Sequence, residues 1–143
     1  MFEILLVGSG GFLGAISRYF ISLSSKKLIP IDFPTGTIIV NVVGCFLIGF
    51  IFEMVKDYKI FPHLSLFFIT GFLGAFTTFS AFGHETLVFL KNSNWSLAFL
   101  NIGGNLFLCM MSVWLGAFSG TTIGKIFELF YPRNTLLRSG RIP

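Results

Sequence analysis

The chain has 143 residues, of which 54% are hydrophobic, 17% aromatic and only 11% charged. A soluble domain cannot bury that much apolar surface, and the length allows four membrane crossings of about 20 residues each. The formal net charge of +4, carried largely by the ends and loops, suits anionic lipid headgroups and not a nucleic-acid groove. We therefore expect one compact multi-pass domain in the cell membrane, with no nucleic acid as partner.

Four apolar segments predict the membrane helices. The first is rich in glycine, and the spacing of Gly10 and Gly14 favours close helix packing. It lacks a basic n-region and a small-residue cleavage site, so we expect a retained span and not a signal peptide. The third is longer than one crossing needs. The segments run from about Glu3 to Leu23, Thr35 to Met54, Phe61 to Leu90 and Trp95 to Phe118.

The chain becomes more polar after the fourth segment. We therefore assign residues 1–118 to a transmembrane domain of four helices, in which the channel described below would lie. Residues 119–143 form a short helical extension followed by a basic tail. The sequence indicates no function for that tail.

The middle of the third segment reads GFLGAFTTFS, from Gly71 to Ser80. It places two glycines, two threonines and a serine at mid-membrane depth, where they support a helix poorly. If the helix breaks there, the freed backbone groups must meet protein, water or an ion, because unpaired polar groups in hydrocarbon are costly. The alternative is an intact helix whose small residues pack and whose hydroxyls bond back to carbonyls. This segment alone leaves both open.

Polar side chains form stripes along the second and fourth segments. Thr37 and Asn41 are four residues apart and share one helix face, as do Asn101 and Asn105. An intramembrane amide either forms hydrogen bonds that hold helices together or binds a substrate that passes through the membrane. Neither stripe contains a carboxylate or a lysine, so both offer neutral donors and acceptors that suit a desolvated ion.

Two aromatic and two charged residues are further candidates beside such a path. Phe79 and Phe82 lie three residues apart on one helix face, and an aromatic edge attracts an anion weakly, alongside stronger donors. Arg18 either snorkels to the interface or adds positive potential at a vestibule. Glu85 is either a proton-handling group at a pore mouth or an ordinary interfacial carboxylate.

The loop charges give little orientation signal. With four spans, one side holds Lys56, Lys59 and Lys125, and the other holds Lys26, Lys27 and Lys91. Only Arg133, Arg138 and Arg141 in the tail tip the balance, and they lie far from any span. Either copies insert both ways, which would support an antiparallel dimer, or the tail fixes one orientation.

Three motifs carry a family resemblance: GGFLGAISRY (Gly10 to Tyr19), PTGTIIVNVVGCFLIG (Pro34 to Gly49) and GFLGAFTTFSAF (Gly71 to Phe82). They resemble the CrcB or Fluc fluoride channels, and the match spans all four segments in order. The resemblance implies an all-α membrane protein of four transmembrane helices, with helix 3 broken at mid-membrane, that forms an antiparallel, dual-topology homodimer. It also implies passive, fluoride-selective export across the plasma membrane, which lowers cytoplasmic fluoride toxicity.

The same resemblance implies residue roles. A structural sodium ion at the dimer centre would be held by main-chain carbonyls, at positions that match Gly74 and Thr77. In the family, aromatic edges and a polar track line the pores. The ion pathway by this matching includes Arg18, Thr37, Asn41, Thr78, Phe79, Ser80, Phe82, Glu85, Asn101 and Asn105.

The chain departs from the family pattern mainly in the fourth segment. Many relatives have Tyr and Ser at the positions aligned with Asn101 and Asn105, and both replacements keep a polar donor. Cys109 stands where Gly or Ser is usual, and Ala75 replaces a common Gly. These departures bear on conductance and pore contacts more than on the identity of the ion.

Rival classes predict different features. A four-helix multidrug antiporter needs a carboxylate embedded in its first helix, and Glu3 lies too near the end. A non-transporting assembly subunit would tolerate substitution of Asn41. We do not expect an enzyme, because the spans contain no Ser/His pair and no metal-ligand cluster. Cys45 and Cys109 lie within apolar segments and predict neither a disulfide framework nor a thiolate metal site.

Overall fold

The structure is a computed structural model that describes residues 1–55 and 62–130. The described chain is helical, and four of its helical stretches are long and apolar enough to cross a membrane, as the sequence predicted. The elements are α1 (Phe2–Leu28), α2 (Thr35–Val55), α3 (Pro62–Ser65), a π-helix (Leu66–Leu73), α4 (Gly74–Phe76), α5 (Phe79–Lys91) and α6 (Trp95–Phe130). The predicted start of the third segment at Phe61 and the tail after Phe130 lie outside the described residues.

The first helix is longer than predicted. It ends at Leu28 and not at Leu23, so that Lys26 and Lys27, which marked a loop in the sequence, occupy its last turn. Cationic side chains are favourable there because the helix dipole places partial negative charge at the C-terminus. Thr35 begins the second helix, as predicted, and its hydroxyl lies 2.6 Å from that of Ser25.

The last helix runs unbroken past Phe118, where we expected the fourth segment to end. Hydroxyl side chains in this stretch are satisfied within the helix, because each bonds to a carbonyl of the preceding turn. Ser119 Oγ donates to the Leu115 carbonyl at 2.8 Å, and Thr122 Oγ1 donates to the Phe118 carbonyl at 2.8 Å. The polar composition of this stretch is therefore absorbed within the helix.

Glycines set the closest helix contacts. A Cβ at Gly49 would overlap the backbone carbonyl of Val113, and one at Gly116 would overlap that of Phe46, so α2 and α6 touch through their backbones. Ser112 Oγ also donates to the Val42 carbonyl at 2.7 Å. Small residues favour such close approach in membrane helices.

The π-helix packs against α1 in the same way. A Cβ at Gly14 would overlap the carbonyl of Phe72, which confirms that this part of α1 is a packing face. A small buried core of Val40, Leu73 and Phe76 lies between α2 and the π-helix with α4. The sequence did not predict the π-helix. Together these contacts fix the position of the residues that follow Phe76.

Thr77 and Thr78 separate α4 from α5. Both have extended backbone, with φ −80° and ψ 157° at Thr77 and φ −149° and ψ 115° at Thr78. Thr78 is the N-cap of α5, and its side chain accepts a hydrogen bond from the Ala81 amide. The α5 helix therefore begins with its own cap, directly after two residues of extended backbone.

Candidate functional site

The side chain of Asn41 holds the extended backbone at Thr78 in place. Its Oδ1 accepts a hydrogen bond from the Thr78 amide at 2.8 Å, and its Nδ2 donates to the Thr78 carbonyl at 3.1 Å. Asn41 and Thr78 are both buried. One primary amide therefore satisfies both backbone groups of Thr78, which would otherwise be unpaired polar groups within the helix packing.

This arrangement releases two backbone carbonyls. In a continuous helix, the Gly74 carbonyl would accept from the Thr78 amide, but that amide bonds to Asn41. The Thr77 carbonyl would accept from the Ala81 amide, which bonds to Thr78 Oγ1 at 3.2 Å. The two carbonyls that the resemblance matched to a sodium site have thus lost their helical partners. Neutral carbonyl oxygens of this kind suit a monovalent cation.

The two predicted polar stripes meet in one hydrogen-bonded network. Asn41 Nδ2 donates to Asn105 Oδ1 at 3.1 Å, and Asn105 Nδ2 donates to Asn101 Oδ1 at 3.0 Å. Asn101 Nδ2 donates to Thr86 Oγ1 at 2.9 Å, and Thr86 Oγ1 donates to the Phe82 carbonyl at 2.8 Å. The network therefore connects α2, α5 and α6, so the amides hold helices together.

A cavity of about 350 Å³ lies beside this network. Asn41, Thr78 and Asn105 line it together with Phe79 and Phe82. The two rings have centroids 5.1 Å apart and planes tilted by 56°. Phe82 is 8% exposed, whereas Phe79 is 77% exposed, so neighbouring residues cover the Phe82 ring and leave most of the Phe79 ring uncovered.

Hydroxyl groups supply polarity at the start of α5. Thr78 Oγ1 and Ser80 Oγ lie 3.2 Å apart, and Ser80 is exposed. A hydroxyl can rotate to donate or accept. This pair therefore provides adaptable hydrogen-bonding groups close to Phe79 in the chain.

Thr37 and Glu85 form a second contact between α2 and α5. Thr37 Oγ1 donates to Glu85 Oε1 at 2.6 Å, while Glu85 Oε2 is buried without a hydrogen-bond partner among the described residues. Glu85 lines a more polar cavity of about 560 Å³ together with Lys26 and His84. The carboxylate thus belongs to a cavity with basic side chains at the end of the third crossing.

Arg18 stands apart from these residues. It is half-buried on α1 and lines neither of the two cavities. Thr86, by contrast, was not predicted but lies within the network. It is four residues after Phe82 and thus on the same face of α5, so the helical period carried a signal for it.

The fold and the site together define a multi-pass membrane protein with a polar network inside its helix packing. The family described as "CrcB-like protein, Camphor Resistance (CrcB)" matches residues 5–117. The chain belongs to this family, which confirms the resemblance found in the sequence. The match begins at Leu5 within α1, ends at Ala117 within α6 and includes every residue of the network.

Curated relatives carry the name fluoride-specific ion channel FluC. One from Campylobacter lari is 48% identical over 113 residues, covering 79% of this chain and 93% of the relative. One from Dehalococcoides mccartyi is 44% identical over 124 residues, covering 86% and 95%. One from Shewanella woodyi is 43% identical over 116 residues, covering 81% and 94%. These names describe ion channels and not enzymes, in agreement with the prediction from the sequence.

Replacing Thr86 by Val should destabilise the protein by about 1 kcal/mol, a typical value for a hydrogen bond between membrane helices. Asn101 Nδ2 would keep only its long contact of 3.5 Å with the Phe82 carbonyl. The measurement is the temperature at which half of the purified protein aggregates in detergent. Thr86→Ser is the matched control, because it retains the hydroxyl. Equal aggregation temperatures for the two variants would show that the hydroxyl contributes nothing.

Proposed function

We propose that this protein is a fluoride-selective passive channel that exports fluoride across the plasma membrane and lowers cytoplasmic fluoride toxicity. The observation that carries the proposal is the pair of hydrogen bonds between the Asn41 side chain and the Thr78 backbone. These bonds hold extended backbone beside a cavity that Phe79 and Phe82 line. Irregular backbone at membrane depth is tolerated where it lines a cavity or is buried in protein. The names of the relatives point to fluoride as the ion.

The site favours a small anion through neutral donors. Both hydrogens of Asn41 Nδ2 are engaged, by the Thr78 carbonyl and by Asn105 Oδ1. The hydroxyls of Thr78 and Ser80 therefore provide the adaptable donors, and the edges of the Phe rings add weaker contacts. Fluoride is strongly hydrated and needs several donors to enter a narrow path, whereas chloride is excluded by its size.

The remaining predicted residues take supporting roles. Asn101 and Asn105 keep Asn41 in position through the amide network. Thr37 and Glu85 form the polar route from the larger cavity, and Arg18 adds positive potential at an aqueous vestibule. Flow needs no energy source, because an interior-negative potential drives an anion outwards with about 2.3 kcal/mol per charge at 100 mV.

The active unit in this proposal is an antiparallel homodimer with a sodium ion at its centre. The carbonyls of Gly74 and Thr77, whose usual helical donors bond elsewhere, support such a site, but two carbonyls complete no coordination shell. A second copy would supply an equivalent pair. Phe79, 77% exposed, is a further apolar surface that a partner would cover. The nearly balanced loop charges support insertion in both orientations. In each copy, helix 3 would be broken near the middle of the bilayer.

The decisive experiment compares fluoride and chloride efflux from liposomes that contain the purified protein, under an imposed potential. We expect rapid fluoride efflux without chloride efflux. Phe82→Ile should lower the fluoride rate by at least about tenfold, because it removes the aromatic edge, and Asn41→Asp should abolish efflux by placing a negative charge on the path.

Phe107→Ile is the matched control for the aromatic substitution. Phe107 is 66% exposed on α6 and lines neither cavity, so its replacement should leave efflux unchanged. If well-folded protein releases neither ion, the channel proposal is wrong, and a non-transporting assembly subunit becomes the better explanation.

The sodium site predicts a salt-dependent stability. Exchanging Na⁺ for N-methyl-D-glucamine should lower the unfolding temperature of the purified protein, since a ligand at 100 times its Kd stabilises by about 2.7 kcal/mol. Chloride is kept constant, and K⁺ serves as the control for ionic strength. Identical unfolding temperatures in all three salts would argue against a bound sodium ion.

The dual topology predicts that both ends of the chain occur on both sides of the membrane. Alkaline phosphatase, which is active outside the cytoplasm, and green fluorescent protein, which fluoresces inside it, are fused separately to the C-terminus. We expect both fusions to give signal in cells. Signal from one reporter alone would establish a single orientation, set by the arginines of the tail.

A further inference from the structure

The helices α2 and α6 run side by side in one register. Asn41 bonds to Asn105, and two turns further along Gly49 meets the backbone of Val113. Both pairs are separated by the same number of residues, so the helices are parallel at this contact. Cys45 and Cys109 occupy the turn between the two pairs. This register places Cys45 beside Cys109, and both side chains line the same cavity.

The two thiols are placed where a ligand can reach them. Both cysteines are free and half-buried, and both line the cavity of about 350 Å³. Met110, a second kind of sulfur ligand, lines it as well. This pair could not be found from the sequence, because the cysteines lie 64 residues apart in two different segments. Only the register of α2 and α6 brings them together.

The donor set selects the kind of ion. Sulfur ligands favour soft metals over hard ones. A structural zinc site requires four ligands, whereas the described residues contain no group of three or more His, Cys, Asp or Glu side chains that could hold a metal. With hard metals and zinc excluded, the two thiols suit a soft metal ion that binds two ligands in linear coordination. A divalent ion is favoured, because two thiolates neutralise its charge and a net charge in an apolar cavity is costly.

We propose that Cys45 and Cys109 form a two-thiol site for a soft, two-coordinate divalent metal ion of the Hg²⁺ class. On binding, two S–H bonds break, two metal–sulfur bonds form and two protons leave to water. No oxidation or reduction occurs. The bound ion links α2 to α6 one turn from the contact between Asn41 and Asn105.

The same occupancy should block ion flow, and this part of the inference rests on the proposed function. Cys45 and Cys109 share the cavity with Phe82 and Thr78. A metal ion between the thiols would fill part of that space and restrain the helix that carries Asn41. Binding and block are therefore measured separately.

Binding is tested with mercuric chloride and purified full-length protein in detergent. The chain contains only two cysteines, so free thiols and added mass assign the site without ambiguity. We expect one mercury per chain, loss of both free thiols and a monomeric mass adduct. Cys45→Ser and Cys109→Ser should each lose mercury to excess glutathione at least about tenfold more readily than the unaltered protein. Two mercury ions per chain, or mercury-linked pairs of chains, would overturn the proposal.

Block is tested by fluoride efflux from liposomes before and after mercuric chloride. We expect efflux to stop, to return with dithiothreitol and to persist in Cys45→Ser/Cys109→Ser. Continued efflux with mercury bound would refute the block while leaving the metal site intact. Absence of efflux before mercury is added would count against the proposed channel, and the binding measurement would still decide the site.

Discussion

The hydrogen bonds between the Asn41 amide and the backbone of Thr78 are the interaction on which the site depends. A helix crossing a membrane cannot leave an amide or a carbonyl unpaired at low cost. Asn41 meets both requirements with one side chain, at 2.8 Å and 3.1 Å. The chain can therefore hold extended backbone in the third crossing, and the Gly74 and Thr77 carbonyls become available to other ligands.

The rest of the packing keeps Asn41 in that position. Contacts through Gly49 and Gly116 bring the backbones of α2 and α6 together, which sets the distance that the amide of Asn105 must bridge. The network then continues to Thr86 and the carbonyl of Phe82. Helix proximity, amide pairing and the placement of the aromatic ring are consequently one linked arrangement, and a change in any of them affects the others.

Much of this arrangement could be predicted from the sequence, because hydrophobic length defines the crossings and a spacing of four residues defines shared faces. The stripes containing Asn41 and Asn105 were found in this way. The sequence could not show that the stripes face each other, since that depends on the register of α2 against α6. For the same reason it did not reveal that Cys45 and Cys109 line the same cavity. The π-helix also escaped prediction, because its residues have no spacing that distinguishes them from an α-helix.

The length of α6 has a mechanical consequence. Its 36 residues extend over about 54 Å, whereas the hydrocarbon core is about 30 Å thick. A moderate tilt does not absorb the difference, so part of α6 extends beyond the hydrocarbon core, continuous with the helix that carries Asn101 and Asn105. In the proposed dimer, one such extension would project from each face of the membrane. A contact made with either extension would act on the same uninterrupted helix that carries the polar network.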